Sequence, residues 1–101
     1  MYLAPIKGIE MNTQVSLQHI ELARLTATLS RTARSLVDLS DKNDTVSMFD
    51  GQTIFITYVG RGSESIGLFL SGAYSVKTRI QYMADNLNRL IEIKNHLLEV
   101  A

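Results

Sequence analysis

Thr45-Val-Ser-Met-Phe-Asp-Gly-Gln-Thr-Ile-Phe-Ile-Thr-Tyr-Val59 decides the fold. Two runs rich in β-branched and aromatic residues flank Asp50-Gly51, a dipeptide that tolerates the positive φ of a tight primed turn. The stretch therefore predicts a β-hairpin with strands over 45–49 and 52–59. Alternation sets Ile54, Ile56 and Tyr58 on one face and Phe55 and Val59 on the other. Both faces carry apolar residues, so the sheet is expected to be covered on both sides.

Outward from the hairpin, Gly60-Arg-Gly-Ser-Glu-Ser65 reads as a connection. Residues 66–72, Ile-Gly-Leu-Phe-Leu-Ser-Gly, read either as a third strand, which we favour, or as the opening of the next helix. From about Ala73 to Val100 a helical repeat takes over, with Ala73, Ile80 and Leu87 at one heptad position and Val76, Met83, Leu90 and Leu97 at the other. Ala84, Ile91 and Leu98 widen that stripe, and Lys94 interrupts it. Upstream, Thr13 to Ser40 repeats in sevens through Val15, Leu22, Leu29 and Leu36 and through Gln18, Leu25, Thr32 and Leu39. Thr13 or Ser16 is the expected N-cap, and Asp41-Lys-Asn-Asp44 the expected end. Ala23, Ala27 and Ala33 leave room for a close neighbour, and Leu17 and Ile20 form a second apolar patch. Residues 1–12, with Pro5 and Gly8 among Leu3, Ile6, Ile9 and Met11, read as an N-terminal arm, with or without a short strand.

The fold class is thus α+β: long helix, small antiparallel hairpin or three-stranded sheet, long helix. Residues 13–101 form a single α-β-β-α domain whose helices pair as an antiparallel bundle. Each helix would be about 40 Å long. Two such helices with a hairpin make a thin object whose apolar stripes are wider than a two-helix seam needs. A second copy, giving a four-helix bundle or a higher oligomer, completes the burial. The alternative within one chain is a sheet folded back along the helix pair.

Composition narrows the function. The chain has 101 residues, 10 Lys+Arg against 10 Asp+Glu and no cysteine, with hydrophobic residues at 46%. Disulfide scaffolds, thiolate metal sites and thiol nucleophiles are therefore excluded, and intrinsic disorder is disfavoured. Uninterrupted apolar runs are too short to span a bilayer. Met1 to Glu10 has neither a basic n-region nor a continuous apolar h-region, so the expected compartment is the cytoplasm. A zero charge balance removes the attraction that drives non-specific nucleic-acid or anionic-lipid binding and favours self-association.

Two groups of residues are candidate sites. Gly60, Arg61, Gly62, Ser63 and Ser65 can turn backbone N–H groups, a guanidinium and two hydroxyls toward an anion. The run reads G-x-G-x-x-S, but neither a second β-α unit nor a following acidic residue supports a dinucleotide fold. Leu68-Phe69 stands where a phosphate-binding loop needs Lys and Ser/Thr, and the nucleophile-elbow pattern lacks its first glycine. The second group is Arg24, Arg31 and Arg34, on a helix rich in hydroxyls (Thr26, Thr28, Ser30, Thr32, Ser35), where forked donors suit an acidic partner or ligand. Phe55, Tyr58, Phe69 and Tyr74 flank the glycine run and are assigned to the core rather than to stacking on a ring. His19 and His96 approach one another if the helices are antiparallel, but two imidazoles fall short of a metal site, and no metal or cofactor is expected. No nucleophile with a matched base is evident, so the expectation is a non-enzyme.

The sequence therefore predicts a homo-oligomeric binding protein acting stoichiometrically on a partner protein, in an accessory, regulatory or inhibitor role. The alternative is a binding or sequestering protein for a nucleotide or other phosphate-bearing small molecule, with phosphate contacts from Gly60–Ser65 at subunit interfaces. Nucleic acid and membranes are not expected partners.

Overall fold

A computed structural model describes the backbone of residues 4–40, 45–58 and 60–100, and the side chains of 17–40, 45–58 and 60–99. The element order is α1 (Ala4–Ser40), β1 (Thr45–Phe49), β2 (Thr53–Tyr58), β3 (Gly62–Gly67) and α2 (Val76–Val100). The sheet is antiparallel in the order β1-β2-β3, and the two helices pack against each other. Asp41–Asp44 and Val59 lie outside the described residues.

Helical geometry begins at Ala4, well before Thr13, and runs through the stretch read as an arm. Pro5 falls in the first turn, where its missing N–H leaves no bond unmade. Gly8 costs only about 1 kcal/mol in a helix. Thr13 and Ser16 therefore lie inside α1 rather than at its start. The helix buries Leu25, Leu29, Ala33, Leu36 and Ser40, steps of three and four that follow the 3.6-residue turn rather than a strict heptad. Gln18 of the expected stripe is exposed, as are Ala23 and Ala27. Interior hydroxyls that weaken helix propensity find local partners: Thr26 and Thr32 donate to the carbonyls of Leu22 and Thr28, each at 2.8 Å. At the buried end, Ser40 Oγ donates to the Val37 carbonyl (2.8 Å) and shares a hydrogen bond with Ser47 Oγ at 2.6 Å, fastening α1 to β1. No helix among the described residues is long and apolar enough to cross a membrane.

The hairpin forms with its turn moved by one residue. Phe49 pairs with Ile54, so the loop is Gly51-Gln52, with Gly51 at φ 97° in the first central position. Asp50 closes it: its Oδ1 accepts from the N–H groups of Gln52 (2.8 Å) and Thr53 (2.7 Å). This shift moves the pairing by two residues, which preserves the faces. Ile54 and Ile56 are accordingly fully buried against the helices.

The other face departs from expectation. Val46, Met48 and Phe55 lie on it at 66%, 58% and 39% exposure, so the sheet is covered on one side only. Position 66–72 also departs: β3 occupies Gly62–Gly67, and residues 68–75 make an irregular connection. Pairing governs this. Tyr58 opposite Gly62 sets β3 directly after a short turn, and Leu68, whose N–H donates to Gln52 O at 2.9 Å, leaves the ladder to enter the core. Gly60 and Gly62 take φ of 77° and 98°, conformations that admit glycine at little cost. The first turn of α2 starts at Val76, capped by Ser75, whose Oγ accepts from Thr78 N at 3.2 Å. Leu90, Ile93, Leu97 and Met83 of α2 complete the core.

Candidate functional site

β3 runs along α2 in the opposite sense, which places the β2–β3 turn over the C-terminal half of that helix. At the far end, Tyr82 Oη and Asn86 Nδ2 donate to the Gly67 carbonyl at 2.5 and 3.1 Å, and Asn86 also reaches Leu68 O at 3.2 Å. At the near end, Glu64 is on the inner face, paired with Ile56. Its carboxylate accepts from Arg89 Nη2 through both oxygens at 3.0 and 3.1 Å and from Tyr58 Oη at 3.0 Å. Arg89 Nη1 also stands 3.6 Å from Glu92.

These groups line an open cleft of about 250 Å³ formed by Tyr58, Arg61, Glu64, Arg89, Glu92, Ile93 and His96. The hydrogen bond and charge of Glu64 hold Arg89 firmly protonated, raising its pKa. Burial, then the hydrogen bond to Glu64, pushes the Tyr58 hydroxyl above the usual phenol range, so it acts as a donor at neutral pH. Arg89 is committed to two carboxylates, whereas Arg61 sits on the turn at the mouth and is exposed. The arrangement offers a charge-balanced rim, Arg61 and Arg89 against Glu64 and Glu92, with a phenol ring and the buried Ile93 among its lining.

The expected glycine-run site is divided by the strand. Gly60 and Arg61 form the turn, and Arg61 faces the cleft. Ser63 and Ser65 belong to β3, where they pair with Thr57 and Phe55 on the outer face, so their hydroxyls line a separate surface depression with Phe55 and Thr57. The five residues do not converge on one point, because alternation along a strand sends neighbours to opposite faces.

The three arginines of α1 make different local contacts. Arg24 stands 3.5 Å from Glu21, and Arg31 donates to Thr28 Oγ1 at 3.4 Å. Arg34 lines an open groove of about 520 Å³ with Val37, Asp38, Phe49, Asp50 and Gly51, where the neighbouring carboxylates offset its charge. His96 lines the Tyr58 cleft and His19 does not. Among the described residues, no group of three or more His, Cys, Asp or Glu side chains is placed to hold a metal ion.

Arg89 was not legible as a site residue in the sequence. It follows Glu64 by 25 residues, and the only advance signal is the alternation that turns Glu64 inward beside Ile66. No family model matches the chain, and comparison with curated proteins and with solved structures gives no significant match.

Proposed function

We propose that this chain is a non-enzymatic, homo-oligomeric binding protein of the cytoplasm that acts stoichiometrically on a partner protein, as an accessory, regulatory or inhibitor factor. The observation that supports this reading is the clustering of exposed apolar side chains. Single exposed apolar residues are ordinary, but Met48 and Phe55 are direct cross-strand partners and Val46 is next to them on the same face. Leu17 and Ile20 on α1, and Ile91 and Leu98 on α2, add two further exposed pairs. The body is also drawn out, with a radius of gyration of 18.1 Å against about 13 Å for a compact chain of this length. A neutral, elongated molecule with apolar patches gains by association.

Native mass spectrometry of protein purified gently from its host tests this. The expected result is a ligand-free oligomer that takes up a second protein in fixed ratio. A monomer that retains a nucleotide overturns the reading. A second reading, binding of a phosphate-bearing small molecule, rests on Arg61 at the mouth of the cleft, where Arg89 is already held by Glu64 and Glu92. It expects Arg61→Ala to abolish ligand binding while the oligomer mass stays unchanged.

A further inference from the structure

The two edges of the sheet differ. Asp50 N–H donates to Thr53 O and Leu68 N–H to Gln52 O, and hydrogen-bonded pairs alternate along an antiparallel ladder. Val46 and Met48 therefore turn their backbone groups to Thr57 and Phe55 of β2, while Thr45, Ser47 and Phe49 turn theirs outward. By the same count Ser63, Ser65 and Gly67 form the outer edge of β3. That edge is partly closed, because Tyr82 and Asn86 of α2 donate to the Gly67 carbonyl. On β1, Thr45 is buried, but the outward N–H and C=O groups of Ser47 and Phe49 have no hydrogen-bond partner among the described residues. Thr45-Val-Ser-Met-Phe49 also lacks the lysine, proline or bulge that commonly blunts an open edge. Beside it lies the open groove of about 520 Å³ between Arg34, Val37 and Asp38 of α1 and Phe49, Asp50 and Gly51.

We infer that the outer edge of β1 takes an extended segment of the partner protein as a fourth strand of the sheet. The inference rests on the partner-protein reading above and names the part of the partner that is bound. Backbone groups recognise backbone, so the ladder supplies affinity and the flanking side chains supply the choice of sequence. A strand placed about 4.8 Å beyond β1 runs along the groove, where its inward side chains meet Phe49 and Val37. Its outward side chains extend the exposed row of Val46, Met48 and Phe55. That row carries no charge, so apolar residues at alternate positions of the segment cover it without desolvating an ion. A second copy of this chain is a poor occupant. α1 packs on β1 and is fastened to it through Ser40 and Ser47. Two copies joined edge to edge through β1 would hold their α1 helices about 5 Å apart, one strand spacing, where packed helices need about 8–10 Å. A strand with no helix over it meets no such obstacle.

The probe is a peptide selected against the full chain from a random displayed library, and amide hydrogen exchange reads where it sits. In the free chain Ser47 and Phe49 are expected to exchange faster than Val46 and Met48, whose N–H groups face β2. The bound peptide is expected to slow Ser47 and Phe49 by about tenfold or more and to be apolar at alternate positions. Methylating alternate backbone nitrogens of the peptide keeps its side chains and removes the donors of one edge. The set that faces β1 is expected to weaken binding about tenfold, as two lost hydrogen bonds would, and the other set to leave it unchanged. Protection that falls elsewhere, equal effects of the two sets, or a library that yields no binder overturns the inference. Slow exchange at Ser47 and Phe49 in the free chain overturns it as well: if it persists on dilution the edge is closed within the chain, and if dilution relieves it a second copy holds the edge. The partner-protein reading is decided apart from these results, by whether native mass spectrometry shows a second protein in fixed ratio.

Discussion

Replacing Ile56 by alanine tests the one-sided sheet most directly when it is set beside Val46→Ala. Ile56 is in the central strand, fully buried between Ser47 and Glu64 in the inner row of the sheet. The change removes three carbons, worth about 2.4 kcal/mol at ~0.8 kcal/mol each. If the neighbours stay in place, a void of about 60 Å³ adds ~1.5 kcal/mol. The expected loss is therefore about 3–4 kcal/mol, a fall in midpoint temperature of roughly 14–28 °C for a domain of this size. Val46, at 66% exposure on the other face, loses two carbons of which only a third of the surface was buried, about 0.5 kcal/mol. Urea unfolding followed by circular dichroism, over a dilution series that dissociates any oligomer, measures both. Equal losses in the dissociated chain would falsify the assignment of faces, because a one-residue slip of register exchanges them.

Other outcomes follow from individual contacts. The Asp50 carboxylate is held below its ordinary pKa by the N–H groups of Thr53 first and Gln52 second. Its contribution is present above the unfolded value of about 3.9 and is lost as pH falls through the lower folded value. Asp50→Asn should flatten the acid limb of the stability profile below about pH 4, and an unaltered limb would contradict the turn geometry. Tyr58 has a raised pKa through burial first and Glu64 second. Stability should thus decline as pH rises above about 10 toward the folded value, and Tyr58→Phe should remove that decline, with tyrosinate absorbance following the titration. For Glu64 and Arg89, whose side chains are 31% and 47% exposed, solvent screening limits the coupling to about 1 kcal/mol. A double-mutant cycle with Glu64→Gln and Arg89→Met measures it, and a coupling near zero would show that the pair does not tie β3 to α2.

What the sequence by itself determined was what depends on short-range periodicity. The 3.6-residue repeats in α1 and α2 and the alternation through Ile54, Ile56 and Tyr58 each mark a face that must be buried, whatever lies opposite. A turn shifted by one residue at Asp50-Gly51 left those faces unchanged. Tertiary structure decided everything that depends on a partner. β3 begins at Gly62 because Tyr58 pairs there, and the glycine run, which resembles a loop in isolation, becomes a strand that sends Ser63 and Ser65 away from Arg61. Glu64 and Arg89 meet across 25 residues only because β3 lies along α2. Whether the apolar outer face is covered was equally beyond local reading: the two helices shield the inner side of the sheet, while Val46, Met48 and Phe55 are exposed on the other. Local pattern says which side chains are apolar and which face they share, and the packing of helices on the sheet says which of those faces is buried.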